Sequence, residues 1–154
     1  MKVRNLTILV ATYLFAAAAP LLAHCEIPCG IYGDEARFAA LDEDLRTVEK
    51  AMGQIAALND TDDAQSANQL ARWVSAKEEH ANRIQRVVSQ YFMTQRLKVP
   101  DAEDEAAFAT YSKKLVLLHR ILRGAMKCKQ SVDLEQVEVV RDLIHEFKHA
   151  YEAK

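Results

Sequence analysis

The sequence predicts an all-α fold, an antiparallel four-helix bundle of up-down-up-down topology, and three observations favour it. Apolar residues recur at steps of three and four in four separate segments, which is the spacing of amphipathic helices. Short polar segments connect the four, so that neighbouring helices run antiparallel. Only 4 Gly and 3 Pro in 154 residues leave little room for the frequent turns of an all-β fold.

The composition excludes several classes of protein. Half of the residues are hydrophobic and 27% are charged, so the chain is neither disordered nor fibrous. Lys+Arg 20 against Asp+Glu 22 gives a net charge of −2 without a basic block, which argues against a nucleic-acid partner. Three Cys are too few for a disulfide scaffold.

The first 23 residues have the pattern of a signal peptide, a leader that is removed. Lys2 and Arg4 give a positive start, an uncharged and mainly apolar run covers 6–19, and Ala23 offers a small residue for cleavage. We expect a leader-cleaving peptidase to cut after Ala23. The mature domain, 24–154, would then be exported to the periplasm or the cell exterior, free of the membrane. Counted through Ala23, the run approaches the roughly 20 residues of a membrane span, so an uncleaved anchor is the alternative.

The first two helices of the bundle are predicted at 34–58 and 64–97. The polar segment 59–63, rich in residues that cap helices, separates them, and Pro100 ends the second. The predicted core positions of the first helix are Phe38, Leu41, Leu45, Val48, Met52 and Ile55. Those of the second are Leu70, Trp73, Val74, Ile84, Val87, Val88, Tyr91 and Phe92.

The last two helices complete a bundle that covers 34–152. The third follows an acidic first turn at 101–105 and is predicted to end near Lys127. The fourth is predicted to follow a cap at Ser131 or Asp133. Cys128 is expected to be a small buried or half-buried thiol. The predicted core positions are Phe108, Tyr111, Leu115, Leu118, Ile121 and Leu122, then Leu134, Val137, Val140, Leu143, Ile144, Phe147 and Tyr151.

The segment HCEIPCGIY at 24–32 groups nitrogen and sulfur donors. Cleavage before His24 would give that residue a free α-amine beside its imidazole, and both bind a metal once deprotonated. The amine, the backbone amide of Cys25 and the Cys25 thiolate close adjacent chelate rings. Cys29 completes the square if the chain turns back at Pro28 and Gly30. A planar site of two nitrogens and two sulfurs favours Ni(II) or Cu(II) over zinc, which prefers a tetrahedron.

The pattern His-Cys-x-x-Pro-Cys-Gly-x-Tyr at 24–32 resembles the N-terminal nickel hook of the nickel superoxide dismutase family. The likeness continues at 72–74, 77–80 and 90–92, which are similar to the family's second helix. The resemblance implies a homohexamer of four-helix bundles, with one nickel ion per subunit held by His24, Cys25 and Cys29.

The resemblance also implies an activity. Superoxide would be converted to dioxygen and hydrogen peroxide by Ni(II)/Ni(III) cycling, with His24 as the axial ligand of the oxidised metal. Tyr32 matches the family's tyrosine at the substrate entrance, a catalytic position where its hydroxyl can orient a small anion or water. Maturation by proteolysis is implied as well, because an uncut leader would turn the α-amine of His24 into an amide.

The chain departs from the family where the axial histidine is held. Counted from the hook, Ala39 and Ala40 stand where a glutamate of the first helix would bind that histidine. Counted back from Tyr91, Ala76 stands where an arginine would support the glutamate. Different residues must then orient His24, and the candidates are Glu43, Lys77, Glu78 and His80.

A second departure concerns the attraction of superoxide. Met93 stands where some members of the family have a lysine. Arg96 and Lys98 are the candidate replacements for its charge, and Tyr91 is a candidate neighbour of the hook.

A second interpretation of the chain has no role for nickel. In the oxidising compartments that exported proteins reach, Cys25 and Cys29 can form a disulfide. The chain would then be a non-enzymatic helical bundle that binds a metal or a partner. A histidine at the cleavage point, together with the proline, glycine and tyrosine of the hook, favours the enzyme over this alternative.

Overall fold

A computed structural model describes residues 33–153, which contain helices and no strand. The helices are α1 (Asp34–Ala57), α2 (Ala64–Arg86), α3 (Glu105–Gln130) and α4 (Glu135–Glu152). A π-helical segment, Val87–Arg96, continues α2. The side chain at the start of α1 contacts side chains near the ends of the π-helical segment and of α4, as antiparallel neighbours require. The predicted all-α four-helix architecture is confirmed.

None of the helices within residues 33–153 is long and apolar enough to span a membrane. The predicted leader, 1–23, and the predicted hook, 24–32, lie outside the described residues.

The apolar stripe predicted for α1 faces the core, except for its last member, Ile55, which is half-buried. The polar segment after α1 also caps the next helix, as predicted. The carboxylate of Asp63 accepts hydrogen bonds from the backbone N–H groups of Gln65 and Ser66, at 2.9 and 3.0 Å. These bonds satisfy donors that the first turn of α2 leaves without partners, so Asp63 fixes where α2 begins.

The predicted second helix has two parts. From Val87 onward the hydrogen bonds reach back five residues, as in the 2.9 Å bond from Leu97 N–H to Phe92 C=O. The apolar spacing did not predict this change, because an amphipathic stripe does not state the hydrogen-bond register. Val74 was expected in the core and is 40% exposed. It lies to one side of the buried line of α2, which runs through Lys77, Ala81 and Ile84.

In the second half of the bundle two predicted core positions are exposed, one at the start of α3 and one just before α4. Four more are half-buried, namely Tyr111, Leu115, Leu122 and Tyr151, and the others are buried. Phe108 is 44% exposed and packs on Tyr111 in the first turns of α3, with ring centroids 6.1 Å apart. Leu134 is 48% exposed because it precedes the first turn of α4. Both predictions of burial were therefore wrong. Cys128 is buried, as predicted, and α3 continues past Lys127 to Gln130.

Five aromatic rings pack together at one end of the bundle. Phe92 is central, with its ring centroid 4.8 Å from Phe38, 5.1 Å from Phe147 and 5.6 Å from Tyr151. Tyr91 packs edge-on against Phe92 at 5.1 Å. Each fully buried phenylalanine contributes roughly 1.5–3 kcal/mol from the removal of apolar surface from water. The start of α1 is thus packed, through Phe38, against this aromatic end of the core.

Candidate functional site

The predicted metal ligands His24, Cys25 and Cys29, and the predicted catalytic Tyr32, lie outside the described residues 33–153. The structure describes the end of the bundle to which this segment is joined through Gly33. Gly33 has extended backbone angles, φ −83° and ψ 152°, and α1 begins at the next residue. The predicted hook is therefore joined to the end of the bundle at which α1 starts and α4 finishes.

Asp34, the first residue of α1, is the centre of a polar cluster at this end. Its carboxylate accepts a hydrogen bond from the Tyr91 hydroxyl at 2.6 Å. It also accepts one from the Arg96 guanidinium at 2.7 Å and one from the Tyr151 hydroxyl at 2.9 Å. The Nε of Arg96 in turn donates to the Tyr151 hydroxyl at 3.2 Å. We call Asp34, Tyr91, Arg96 and Tyr151 the Asp34 cluster.

The protonation states in the cluster follow from these contacts. Burial alone would raise the pKa of Asp34, but the hydrogen bonds from Arg96, Tyr91 and Tyr151 outweigh it and hold that pKa below 3.8. Burial, followed by the bond to Asp34, raises the pKa of Tyr91 to about 12. The bond to Asp34 raises the pKa of Arg96. At neutral pH the cluster is a carboxylate that accepts from one cation and two neutral phenols.

Further positive charge surrounds the Asp34 cluster. The guanidinium groups of Arg37 and Arg96 lie 5.7 and 5.8 Å from the centroid of the Tyr91 ring. Arg96 also lines a cavity of about 480 Å³, where Lys98 and Lys114 supply two further cations and Asp104 a carboxylate. Positive charge at a concave surface raises the local concentration of small anions. Arg96 and Lys98, the two predicted attractors of an anion, thus line one cavity at the end of the bundle where the hook is attached.

The four candidates for orienting His24 fall into separate environments. Lys77 is buried, and its Nζ donates to the backbone carbonyls of Lys129 and Ser131 at 2.5 and 3.1 Å. Those carbonyls belong to the C-terminal end of α3 and to the residue that caps it. The ammonium of Lys77 is therefore already engaged in satisfying the end of α3, which argues against a role in orienting His24.

His80 is paired instead with an aspartate that the sequence did not single out. Its Nδ1 lies 2.6 Å from a carboxylate oxygen of the buried Asp44. Burial raises the pKa of Asp44, while His80 acts against that rise. Glu43 and Glu78 line a groove of about 850 Å³ between α1 and α2, and Ala40 lines the same groove. These two glutamates thus share a groove with Ala40, one of the two positions at which the resemblance places a glutamate.

Comparison with known families assigns most of the chain to one of them. The family model described as nickel-containing superoxide dismutase matches residues 19–154, which include the segment 24–32 and all four helices. No curated protein and no solved structure matches the chain.

Proposed function

The chain belongs to the nickel-containing superoxide dismutase family, and from that membership we propose that its residues 24–32 bind the nickel ion. The protein is an oxidoreductase that takes superoxide as substrate and depends on nickel. The match over 19–154 is the observation that carries this conclusion, and it leaves the non-enzymatic alternative without support.

The chemistry of the proposed donors suits nickel. The α-amine of His24, the backbone amide of Cys25 and the thiolates of Cys25 and Cys29 are two nitrogens and two sulfurs, a set that favours planar Ni(II). The imidazole of His24 would supply a further nitrogen donor, and one ion would be bound per subunit. When bound, nickel supplies the one-electron exchange between Ni(II) and Ni(III) that the two halves of the dismutation need.

Residues outside the donor set handle the substrate. Tyr32 is proposed to stand at the substrate entrance, where its hydroxyl orients superoxide or water without binding the metal. The cavity lined by Arg96, Lys98 and Lys114 supports an approach of the superoxide anion from this end of the bundle. Glu43 and Glu78 are proposed to supply the carboxylate that holds His24, because they line the groove that contains Ala40.

Processing and assembly complete the proposal. A peptidase removes the leader 1–23, and the domain 24–154, with its hook at 24–32 and its bundle at 34–152, is exported to the periplasm or the cell exterior. The proposed donor set requires this removal, because an uncut leader would turn the α-amine of His24 into an amide. The subunits form a homohexamer. Exposed apolar side chains on α3, among them Phe108 and Val116, support an assembly that covers them.

A substitution of one proposed ligand tests the site. We expect Cys29→Ser to abolish both nickel binding and dismutation in the chain that begins at His24. Cys128→Ala is the matched control: its thiol is buried in the core, and we expect it to leave nickel binding and activity in place. Nickel content by elemental analysis and superoxide consumption are the measurements. Full nickel content and activity in Cys29→Ser would contradict the proposed ligand set.

A further inference from the structure

We propose that Asp34 is a positioning residue that clamps the base of the nickel hook, through hydrogen bonds from two other parts of the bundle. The inference rests on the proposed function, since it concerns how that hook is held. Asp34 follows Tyr32 by two residues and Cys29 by five. Five residues of extended chain span at most about 18 Å, so whatever fixes Asp34 limits where the ligands can lie.

The contacts of Asp34 differ from those of an ordinary helix start. An acidic residue in the first turn usually interacts with backbone N–H groups and the helix dipole. Asp34 instead receives three side-chain donors, two from the π-helical segment and one from α4. Its two oxygens are both used: Tyr91 binds Oδ1, and Arg96 and Tyr151 bind Oδ2. Together they restrict both the position and the rotation of the first turn of α1.

The π-helical segment explains how two donors of one helix reach the same carboxylate. Tyr91 and Arg96 are five residues apart. In an α-helix of 3.6 residues per turn, that spacing places side chains about 140° apart around the axis. In a π-helix, with hydrogen bonds from i to i+5 and about 4.4 residues per turn, the two are only about 50° apart. The change of register after Arg86 therefore builds the clamp, and π-helical turns are often found at functional sites.

The neighbour of Asp34 shows what a surface contact at the same helix turn looks like. Glu35 bonds the Nζ of Lys148 at 2.9 and 3.0 Å, but its side chain is 77% exposed. The side chain of Asp34 is 30% exposed. Both residues are acidic, both lie in the first turn of α1, and both pair with a cation from another part of the chain. Glu35 is therefore the matched control for removing a charge without removing the clamp.

The test compares how firmly three proteins hold nickel: the wild-type chain beginning at His24, Asp34→Asn and Glu35→Gln. Each is loaded with nickel, and release of the metal to an excess of chelator is followed over time. We expect Asp34→Asn to release nickel about tenfold faster than wild type, the size of effect seen when partners that orient metal ligands are removed. We expect Glu35→Gln to stay within about twofold of wild type.

A variant with a smaller change separates loss of the clamp from loss of folding. Tyr151→Phe keeps its ring among the core aromatics and removes one donor to Asp34. We expect it to release nickel faster than wild type and more slowly than Asp34→Asn. The melting temperature of each metal-free protein is measured alongside, because a role confined to stability would lower that temperature and leave nickel release unchanged.

The outcomes separate the two proposals. Equal release from Asp34→Asn and Glu35→Gln, with nickel bound in the wild type, overturns the clamp and leaves the proposed function standing. A lower melting temperature for Asp34→Asn with wild-type release also overturns it. A wild-type chain that binds no nickel overturns the proposed function instead.

Discussion

The hydroxyl of Tyr91 shows how a single residue at the end of the core is tuned. The side chain is only 8% exposed, and its hydroxyl donates to Asp34 at 2.6 Å. Both burial and the neighbouring carboxylate disfavour the phenolate, which raises the pKa of Tyr91 to about 12. Tyr91 therefore remains a hydrogen-bond donor throughout the neutral range, and its contribution to stability has a definite pH limit.

Tyr91→Phe tests that limit. Because the folded-state pKa of Tyr91 is about 12 and its ordinary value is 10.0, the stabilisation is fully present below pH 10 and is lost as the pH rises through 12. We expect the free energy of unfolding of the wild-type protein to fall more steeply than that of Tyr91→Phe above pH 10. Urea unfolding of both proteins at pH 9, 10 and 11 measures this free energy.

Tyr111→Phe is the control for that experiment, because Tyr111 is only half-buried in α3. An equal fall of stability with pH in wild type and Tyr91→Phe would show that the folded-state pKa of Tyr91 is not raised. At neutral pH we expect Tyr91→Phe to cost about 1.5–3 kcal/mol, the usual net value of one hydrogen bond to a charged group.

The candidate site was predictable only where its chemistry is local in the sequence. His24, Cys25, Cys29 and Tyr32 stand within nine residues, so their motif could be recognised, and they remain predictions. Asp34 and Tyr151 are 117 residues apart, and nothing in the sequence indicates that they meet. Tyr151 was assigned to the core from its helical spacing, which describes its ring and says nothing of the partner of its hydroxyl.

At the scale of elements, α3 and α4 pack closely against each other at Gly124. A Cβ atom placed on Gly124 would lie 2.5 Å from Cγ2 of Val140. This glycine is buried inside α3, where its backbone is helical and its small size is what the packing requires. Gly53 in α1 is exposed, and a Cβ atom there would meet nothing within 4 Å. The two glycines differ in their surroundings and not in their secondary structure.

Gly124→Ala and Gly53→Ala should consequently have opposite effects. Alanine at either position gains helix propensity, about 1 kcal/mol relative to glycine. At Gly124 the overlap with Val140 costs about 1–3 kcal/mol, so we expect a net loss of stability of about 1 kcal/mol. At Gly53 we expect the free energy of unfolding to rise by roughly 0.5–1 kcal/mol, because only the gain in helix propensity applies there. Urea unfolding of both variants measures these changes in the free energy of unfolding. A stabilising Gly124→Ala would show that α3 and α4 are not closely packed at this glycine.

The helices themselves were predictable because their ends carry local signals. Asp63 and Asp104 accept hydrogen bonds from the first turns of α2 and α3, and such caps are visible in the sequence. The π-helical segment was not predictable, because its stripe of Val88, Tyr91 and Phe92 also fits an α-helix. The exposure of Phe108 depends on where the neighbouring helices end, and the apolar spacing within one helix does not give that information.

At the scale of the whole molecule, the bundle and the proposed metal site have separate tasks. The described residues 33–153 form a bundle with a continuous apolar core, and the proposed ligands precede it in the chain. Although the net charge is −2, Arg37, Arg96, Lys98 and Lys114 gather near the end where the hook begins. The bundle thus supplies the surface to which residues 24–32 are joined and a cavity lined by three cations, and the redox chemistry is proposed for the hook.

Dependence on the free α-amine of His24 is the most direct test of the central claim. Superoxide dismutation is measured with nickel-loaded protein that begins at His24 and with the same protein carrying one extra residue before it. The extension turns the amine into an amide and changes nothing within the bundle. We predict high activity in the first protein and a loss of activity and nickel affinity in the second. Equal activity in both, or no nickel bound by either, would contradict the claim that His24 holds the metal through its amine.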